Sequence, residues 1–369
     1  MLENSVQRRD EVNPTNAKKY LPWCLLLIGL ISFCWQFHLE RTFEPQGFYD
    51  ARDFWIPRAM ALAQGNLPLA LTTWHADYPL LWTAILILGW KLAGTIGIVI
   101  PAILAIGTSI CTMILLCVSI WKARGAQIAT FATGVMILLA YGFFAGLLTA
   151  DLPLGLAYLL TLTTLTQFLL SNQRRWLWVS VISAGAAMNL KNEGAMFLVI
   201  YLAALLISRR LTWREWLIAV LILAPFLAAF IGWKAIAPTN DLIAGQGGDS
   251  LSRLLDANRY AVIAKHFAIF AALFGVQAFL VSYTARLLPT PDNSSYNQAR
   301  LLIWLILAGM IAGYFMVYVM TPLPLEQHLL TSLDRLTMQL WPSVVFVSAL
   351  AVRSPRRQPF ASPVLQGTD

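Results

Sequence analysis

Long apolar runs separated by short charged breaks dominate the chain, and their lengths suit a lipid bilayer rather than a soluble core. The first run, Leu21 to Leu39, is long enough to cross a hydrocarbon core. It follows a polar segment ending in Lys18-Lys19, which suits an uncleaved anchor better than a signal peptide. Window reading places further spans at 95–121, 125–149, 152–171, 176–190, 194–208, 216–234, 261–285, 301–320 and 337–352, ten helices with the first. Segment 79–94 (PLLWTAILILGWKLAG) is apolar but short, and is expected to be a surface or re-entrant helix on the outer side. The pattern predicts an all-α, polytopic membrane helix bundle with about ten transmembrane helices. Its parts are a tail at 1–19, a membrane domain at 20–353 with an outer loop at 40–79, and a second tail at 354–369.

Composition supports this reading. The chain is 58% apolar and 12% charged, whereas soluble domains run near 45–50% and about 25%. No stretch is polar enough to form a separate catalytic ectodomain. Cys24, Cys34, Cys111 and Cys117 all lie in apolar runs, where they act as small hydrophobes rather than as a disulfide framework. With the N-terminus inside, the cytoplasmic segments hold 16 of the 26 Lys/Arg and 6 of the 18 acids. The net charge of +8 is therefore a topology signal that places both termini in the cytoplasm, and it needs no nucleic-acid partner. Asn293-Ser294-Ser295 fits a glycosylation acceptor pattern but falls on the cytoplasmic side of this topology.

The acids concentrate in the first outer loop and at the outer ends of helices. The loop carries Tyr49-Asp50-Ala51-Arg52-Asp53, then Pro57-Arg58, then His75-Ala76-Asp77-Tyr78-Pro79. Pro57 suits the first turn of a short helix that stops at Gly65-Asn66. A solvated carboxylate facing a helix dipole explains any one of these acids alone, but it does not explain the cluster. Asp151, two residues before Pro153, reads equally well as a helix N-cap or as a group facing a pocket. Lys191-Asn192-Glu193-Gly194 joins two short apolar arms, so charges at this turn should lie below the outer surface, against protein or water. A mutual Lys191–Glu193 pair is the simpler account of that turn. Asp334-Arg335, with Gln339, enters a short last span that Trp341-Pro342 could kink. No G-x-x-x-x-G-K-[ST] motif and no zinc-spaced His/Cys group occurs on the inner side. The chemistry is expected outside, with an activated substrate arriving through the lipid.

Four separated pieces carry a family likeness: Tyr49-Asp50 leading to Arg58-Ala59, His75 to Leu81, Ala150 to Pro153, and Lys191 to Gly194. In order and helix spacing they resemble the GT-C superfamily of integral membrane glycosyltransferases, in particular its lipid A aminoarabinose and protein O-mannosyl transferase branches. Beyond about residue 200 the likeness rests on Leu330 to Arg335. The resemblance implies a GT-C-like fold and sugar transfer from a polyprenyl-phosphate sugar to a lipid or glycan hydroxyl, and the compactness of the chain points to a bacterial inner membrane. It makes Asp50 the general base and gives donor or substrate contacts to Arg58, His75, Asp77, Asp151, Lys191, Glu193 and Arg335. It also admits a divalent metal ion at Asp77 and Asp151. The chain has Asp50-Ala51 where several members carry paired acids, and it lacks the soluble domain with which many members end. The competing class is an ion- or proton-coupled transporter using Asp151 and Glu193 as relay groups; a relay should place acids at mid-membrane rather than at one face.

Overall fold

The computed structural model describes residues 14–138, 141–239, 249–287 and 296–350, and among these residues there is no strand. The proposed glycosylation triplet and most of both tails lie outside them. Six helices are long and apolar enough to span a bilayer: Tyr20–Phe43, Val99–Arg124, Asp151–Ser171, Trp213–Ile236, Ala257–Arg286 and Asn297–Met320. They make the protein a multi-pass integral membrane protein, which shorter apolar helices complete. In chain order the helices before the second outer turn are α1 (Pro14–Phe43), α2 (Ile56–Ala63), α3 (Leu67–Leu71), α4 (Leu81–Ala93), α5 (Val99–Arg124), α6 (Ala126–Leu138) and α7 (Tyr141–Gly146). After it come α8 (Asp151–Ser171), α9 (Arg174–Leu190), α10 (Asn192–Ser208) and α11 (Trp213–Ile236), then α12 (Ser250–Leu255), α13 (Ala257–Leu287), α14 (Asn297–Met320) and α15 (Leu325–Leu350).

Side-chain burial sorts these helices into a centre and a lipid-facing rim. In α8, 67% of the apolar window is buried, so it is the axis of the bundle, with α5, α9 and α15 against it. In α11 and α13 the buried share is 17% and 11%, and Leu217, Leu221, Ile231, Leu273, Val276 and Phe279 point outward. Lipid is as apolar as these side chains, so close backbone approach and interhelical hydrogen bonds bind the helices together. Ser183 donates to the Ala157 carbonyl at 2.9 Å and Asn189 to the Phe226 carbonyl at 3.0 Å, joining α9 to α8 and to α11. Such bonds contribute on average about 0.6 kcal/mol each.

The last span differs from the sequence reading. In the stretch 125–149, helix covers 126–138 and 141–146 on either side of residues 139 and 140, which lie outside the described residues, and Leu148 in the left-handed region (φ 60°) closes the run. A Cβ on Gly142 would overlap the Phe33 carbonyl, so glycine lets this face rest on the α1 backbone. The last span is one 26-residue helix, α15, with Pro342 inside it, so Asp334 and Arg335 sit on a helix rather than at its entrance. From Met338 to Leu350 all but Val344 is buried. As the sequence reading expects, α4 is short: it has 13 residues and rises about 20 Å, too little to cross a core of about 30 Å. It packs on α2, α5 and α9 and ends at Gly94 in the left-handed region.

Candidate active site

The site is built where the loop between α1 and α4 meets the N-terminus of α8, the α9–α10 turn and the first half of α15. The chain leaves α1, turns at Gly47 (φ 86°), and is tied to the second outer turn by a bond from the Phe48 N–H to the Leu147 carbonyl. Residues 51–55 form a single wide turn in which the Ile56 N–H reaches back five residues to the Ala51 carbonyl, a geometry enriched at functional positions. The turn runs directly into α2, with Pro57 in its first turn as expected. It buries Ala51, Phe54 and Trp55, leaves Arg52 in water, and holds Asp50 at its start, itself buried.

The cation beside Asp50 is Arg335, 285 residues away in sequence, which donates to Oδ2 of the carboxylate. The nearer arginines are engaged elsewhere. Arg52 pairs with Asp53 at 2.9 Å and with Glu44 at 3.8 Å on the surface. Arg58 is fully buried, lies 4.8 Å from the Trp55 ring, and donates to the carbonyls of His75, Ala76 and Tyr78 (3.2, 3.4 and 2.9 Å) and to Thr83 Oγ1 (3.1 Å). Burial pulls its guanidinium down to about 10. Where the resemblance gives Arg58 a donor contact, the structure places its rigid fork of donors on the 75–78 turn.

Arg335 also lies 3.8 Å from Asp151, and Asp151 carries the network onward. Although it is the first residue of α8, it makes no capping bond. Its oxygens instead accept from Lys191 Nζ at 2.9 Å, Gln339 Nε2 at 2.5 Å and Thr149 Oγ1 at 2.7 Å. The Asp151 carboxylate thus faces three buried donors, which converge on it from the α9–α10 turn, from α15 and from its own turn. Gln339 in turn accepts from the Tyr314 hydroxyl at 2.7 Å.

Lys191 is the single extended residue between α9 and α10 (φ −151°, ψ 162°). So abrupt a turn needs close packing: a Cβ on Gly194 would overlap the Ala187 carbonyl, so glycine lets the first turn of α10 rest on the last turn of α9. The ammonium pairs with Glu193 at 3.2 Å as well as with Asp151, and lies 5.5 Å from the Tyr78 ring. The simple Lys191–Glu193 pair is present, but it is one half of a larger arrangement. Glu193 Oε2 is buried without a hydrogen-bond partner among the described residues. Three carboxylates, Asp50, Asp151 and Glu193, thus share two cations, Arg335 and Lys191.

A second pair stands beside the first. Asp77 Oδ2 accepts from Asn192 Nδ2 at 2.7 Å and from Lys234 Nζ at 2.9 Å, while Trp233 Nε1 donates to the Ala76 carbonyl at 2.9 Å. Asn192 lies between Lys191 and Glu193, so one residue joins the two charge groups. His75 has a left-handed backbone (φ 48°), a conformation costly for a side chain with a Cβ. It is held by a ring stack on Tyr78 at 5.2 Å and an edge contact with Phe54 at 5.2 Å. His328, on the first turns of α15, bonds to Thr321 Oγ1 at 2.9 Å; burial, then nearby His75 and Arg335, lower it to about 4.

Of the eight residues expected in the site, Asp50, Asp151, Lys191, Glu193 and Arg335 form one bonded network. Asp77 joins it through Asn192, and His75 stacks on Tyr78 above Lys191. Asp77 and Asp151 are each bonded to an ammonium, and among the described residues no group of three or more His, Cys, Asp or Glu side chains is placed to hold a metal ion. The sequence reading missed Lys234, Trp233, Asn192 and His328. One signal for Lys234 was available, a lysine at the end of a span opposite to Arg214, where the expected topology and the charge rule favour the other end.

Comparison with known proteins bears on the family and the fold. Residues 77–233 match the family model of dolichyl-phosphate-mannose-protein mannosyltransferases. No curated protein matches the sequence. The fold matches the crystal structure of ArnT from Cupriavidus metallidurans bound to undecaprenyl phosphate, with a TM-score of 0.56 and 13% identity over 91% of this chain. The alignment spans 60% of that protein's length. The matched segment holds Asp77, Asp151, Lys191, Glu193 and Trp233, and in fold this chain resembles the GT-C integral membrane glycosyltransferases.

Proposed function

We propose that the protein transfers a sugar from a polyprenyl-phosphate donor to a hydroxyl of a lipid or glycan acceptor at the outer face of a bacterial inner membrane, with both termini in the cytoplasm. The observation that carries this reading is the bond between Asp50 and Arg335, which links the loop after α1 to the Asp151–Lys191–Glu193 network. The acids lie at one end of the helices, Asp50 just after α1, Asp151 at the start of α8 and Glu193 in the first turn of α10. That placement suits a reaction at one membrane face rather than a relay through the membrane.

In the reaction, an acceptor oxygen bonds to the anomeric carbon as the bond from that carbon to the donor phosphate breaks. Asp50 takes the acceptor's proton, and the polyprenyl phosphate leaves with the bonding electrons. Arg335 fixes the Asp50 carboxylate, and Glu193 Oε2 accepts a hydrogen bond from a substrate hydroxyl.

The test is complementation of a deletion strain, scored by profiling its glycans and glycolipids. Loss of one glycan or glycolipid is expected, restored by the wild type and by Asp53→Asn. Asp50→Asn should lower turnover by roughly 10²–10⁴ at normal expression, the range of general-base catalysis. A deletion that changes no glycan or glycolipid refutes the reading, and normal turnover by Asp50→Asn removes that residue from the mechanism.

A further inference from the structure

We propose that Lys234 receives the lipid-borne phosphate of the donor, exchanging its bond to Asp77 for one to the phosphate. This rests on the reading above and deepens it, because that reading leaves the leaving phosphate without a cation. Arg58 is fully buried and committed to backbone carbonyls. Lys191 is 4% exposed and held between two carboxylates, and Arg335 is 11% exposed and likewise held by two acids. Within that network the carboxylates outnumber the cations, so it has no positive charge to offer an anion. Lys234 differs on each count. Its side chain is 29% exposed, and it pairs with one carboxylate, that of Asp77.

Position strengthens the argument. Lys234 sits two residues before the end of α11, a helix whose flanks are lipid-facing, with Ile231 and Ile236 exposed beside it. A phosphate held at the membrane boundary by its polyprenyl chain therefore approaches along the face that carries Lys234. An ammonium has three donors: one serves Asp77 at 2.9 Å, and the group also lies 5.6 Å from the Phe230 ring, one turn back. Asp77 is not stranded by the exchange, because Asn192 continues to donate to the same oxygen at 2.7 Å. The Trp233–Ala76 bond keeps the end of α11 in place while the lysine moves. Asp77 is then a holder that keeps the lysine facing the site between turnovers.

The experiment uses the full chain in detergent micelles with undecaprenyl phosphate as the probe, read as ligand-dependent thermal stabilisation. Phosphatidylglycerol and inorganic phosphate are the comparison arms. Wild type should be stabilised by undecaprenyl phosphate most strongly. Lys234→Gln should weaken the apparent affinity by about tenfold or more, the scale of one charge-assisted hydrogen bond, and Lys234→Arg should restore most of it. Asp77→Asn, which frees the lysine, should bind as tightly as wild type or more tightly. Unchanged binding by Lys234→Gln overturns the proposal, as does an Asp77→Asn loss equal to that of Lys234→Gln, which would make Lys234 only an anchor for Asp77. Equal, Lys234-dependent stabilisation by phosphatidylglycerol or inorganic phosphate overturns the donor assignment. If wild type fails to bind undecaprenyl phosphate at all, the glycosyltransfer reading falls, and this proposal with it.

Discussion

Replacing Lys191 with Met removes the cation from the centre of the charge network while keeping the length of the side chain. Its ammonium is 2.9 Å from Asp151 and 3.2 Å from Glu193, with 4% of the side chain exposed. Removing one member of a buried ion pair leaves the other charge uncompensated and typically costs about 3–5 kcal/mol. The low end applies here, because Asp151 keeps Gln339, Thr149 and the more distant Arg335. We expect Lys191→Met to lose about 3 kcal/mol, read from unfolding in detergent micelles. Adding Asp151→Asn removes the stranded charge while leaving a carbonyl oxygen for Gln339, so the double variant should regain about 1–2 kcal/mol of that loss. A single variant within about 0.5 kcal/mol of wild type, or a double variant no more stable than the single, would refute the claim that these groups form one coupled buried network.

Two further outcomes follow from other parts of the molecule. Folding lowers His328 from 6.5 to about 4, so between these values the unfolded chain binds a proton that the folded chain does not; stability should fall as pH drops from about 6.5 towards 4, and His328→Asn should flatten the slope of melting temperature against pH. In cells, a cysteine placed at Asn66, on the exposed Gly65-Asn66 turn, should be labelled by an impermeant reagent from the outer side; labelling only from the inner side would reverse the topology and move the site to the wrong face.

The elements legible in the sequence were those fixed by local rules. Run length found the long spans, Pro57 and Gly65 marked the ends of α2, and the shortness of the 79–94 run set α4 apart. The depth argument for the Lys191 turn needed only the lengths of its two arms. What the sequence hid depends on contacts between distant segments. Arg58 and Arg335 are both arginines near an outer acid, yet one binds carbonyls and the other binds Asp50, and only tertiary contacts separate them. Asp151 followed by Pro153 has the local form of a cap, and the three donors that redirect its carboxylate come from residues 149, 191 and 339.

The Arg58 clamp has a consequence for how such chains can diversify. One guanidinium on α2 fixes the return of the loop at residues 75–78 and reaches Thr83 at the start of α4. The stretch between these fixed points turns at Gly65, which has no atoms within van der Waals reach of a side chain placed there, and closes on itself through the Asn66–Leu69 bond. Lengthening or exchanging residues near that turn therefore changes what the outer surface presents without moving Asp50 or Asp77. Ends that are already joined also make such insertions thermodynamically mild. The loop thus behaves as a replaceable cassette on a fixed base, a physical route by which one charge network can be presented behind different surfaces.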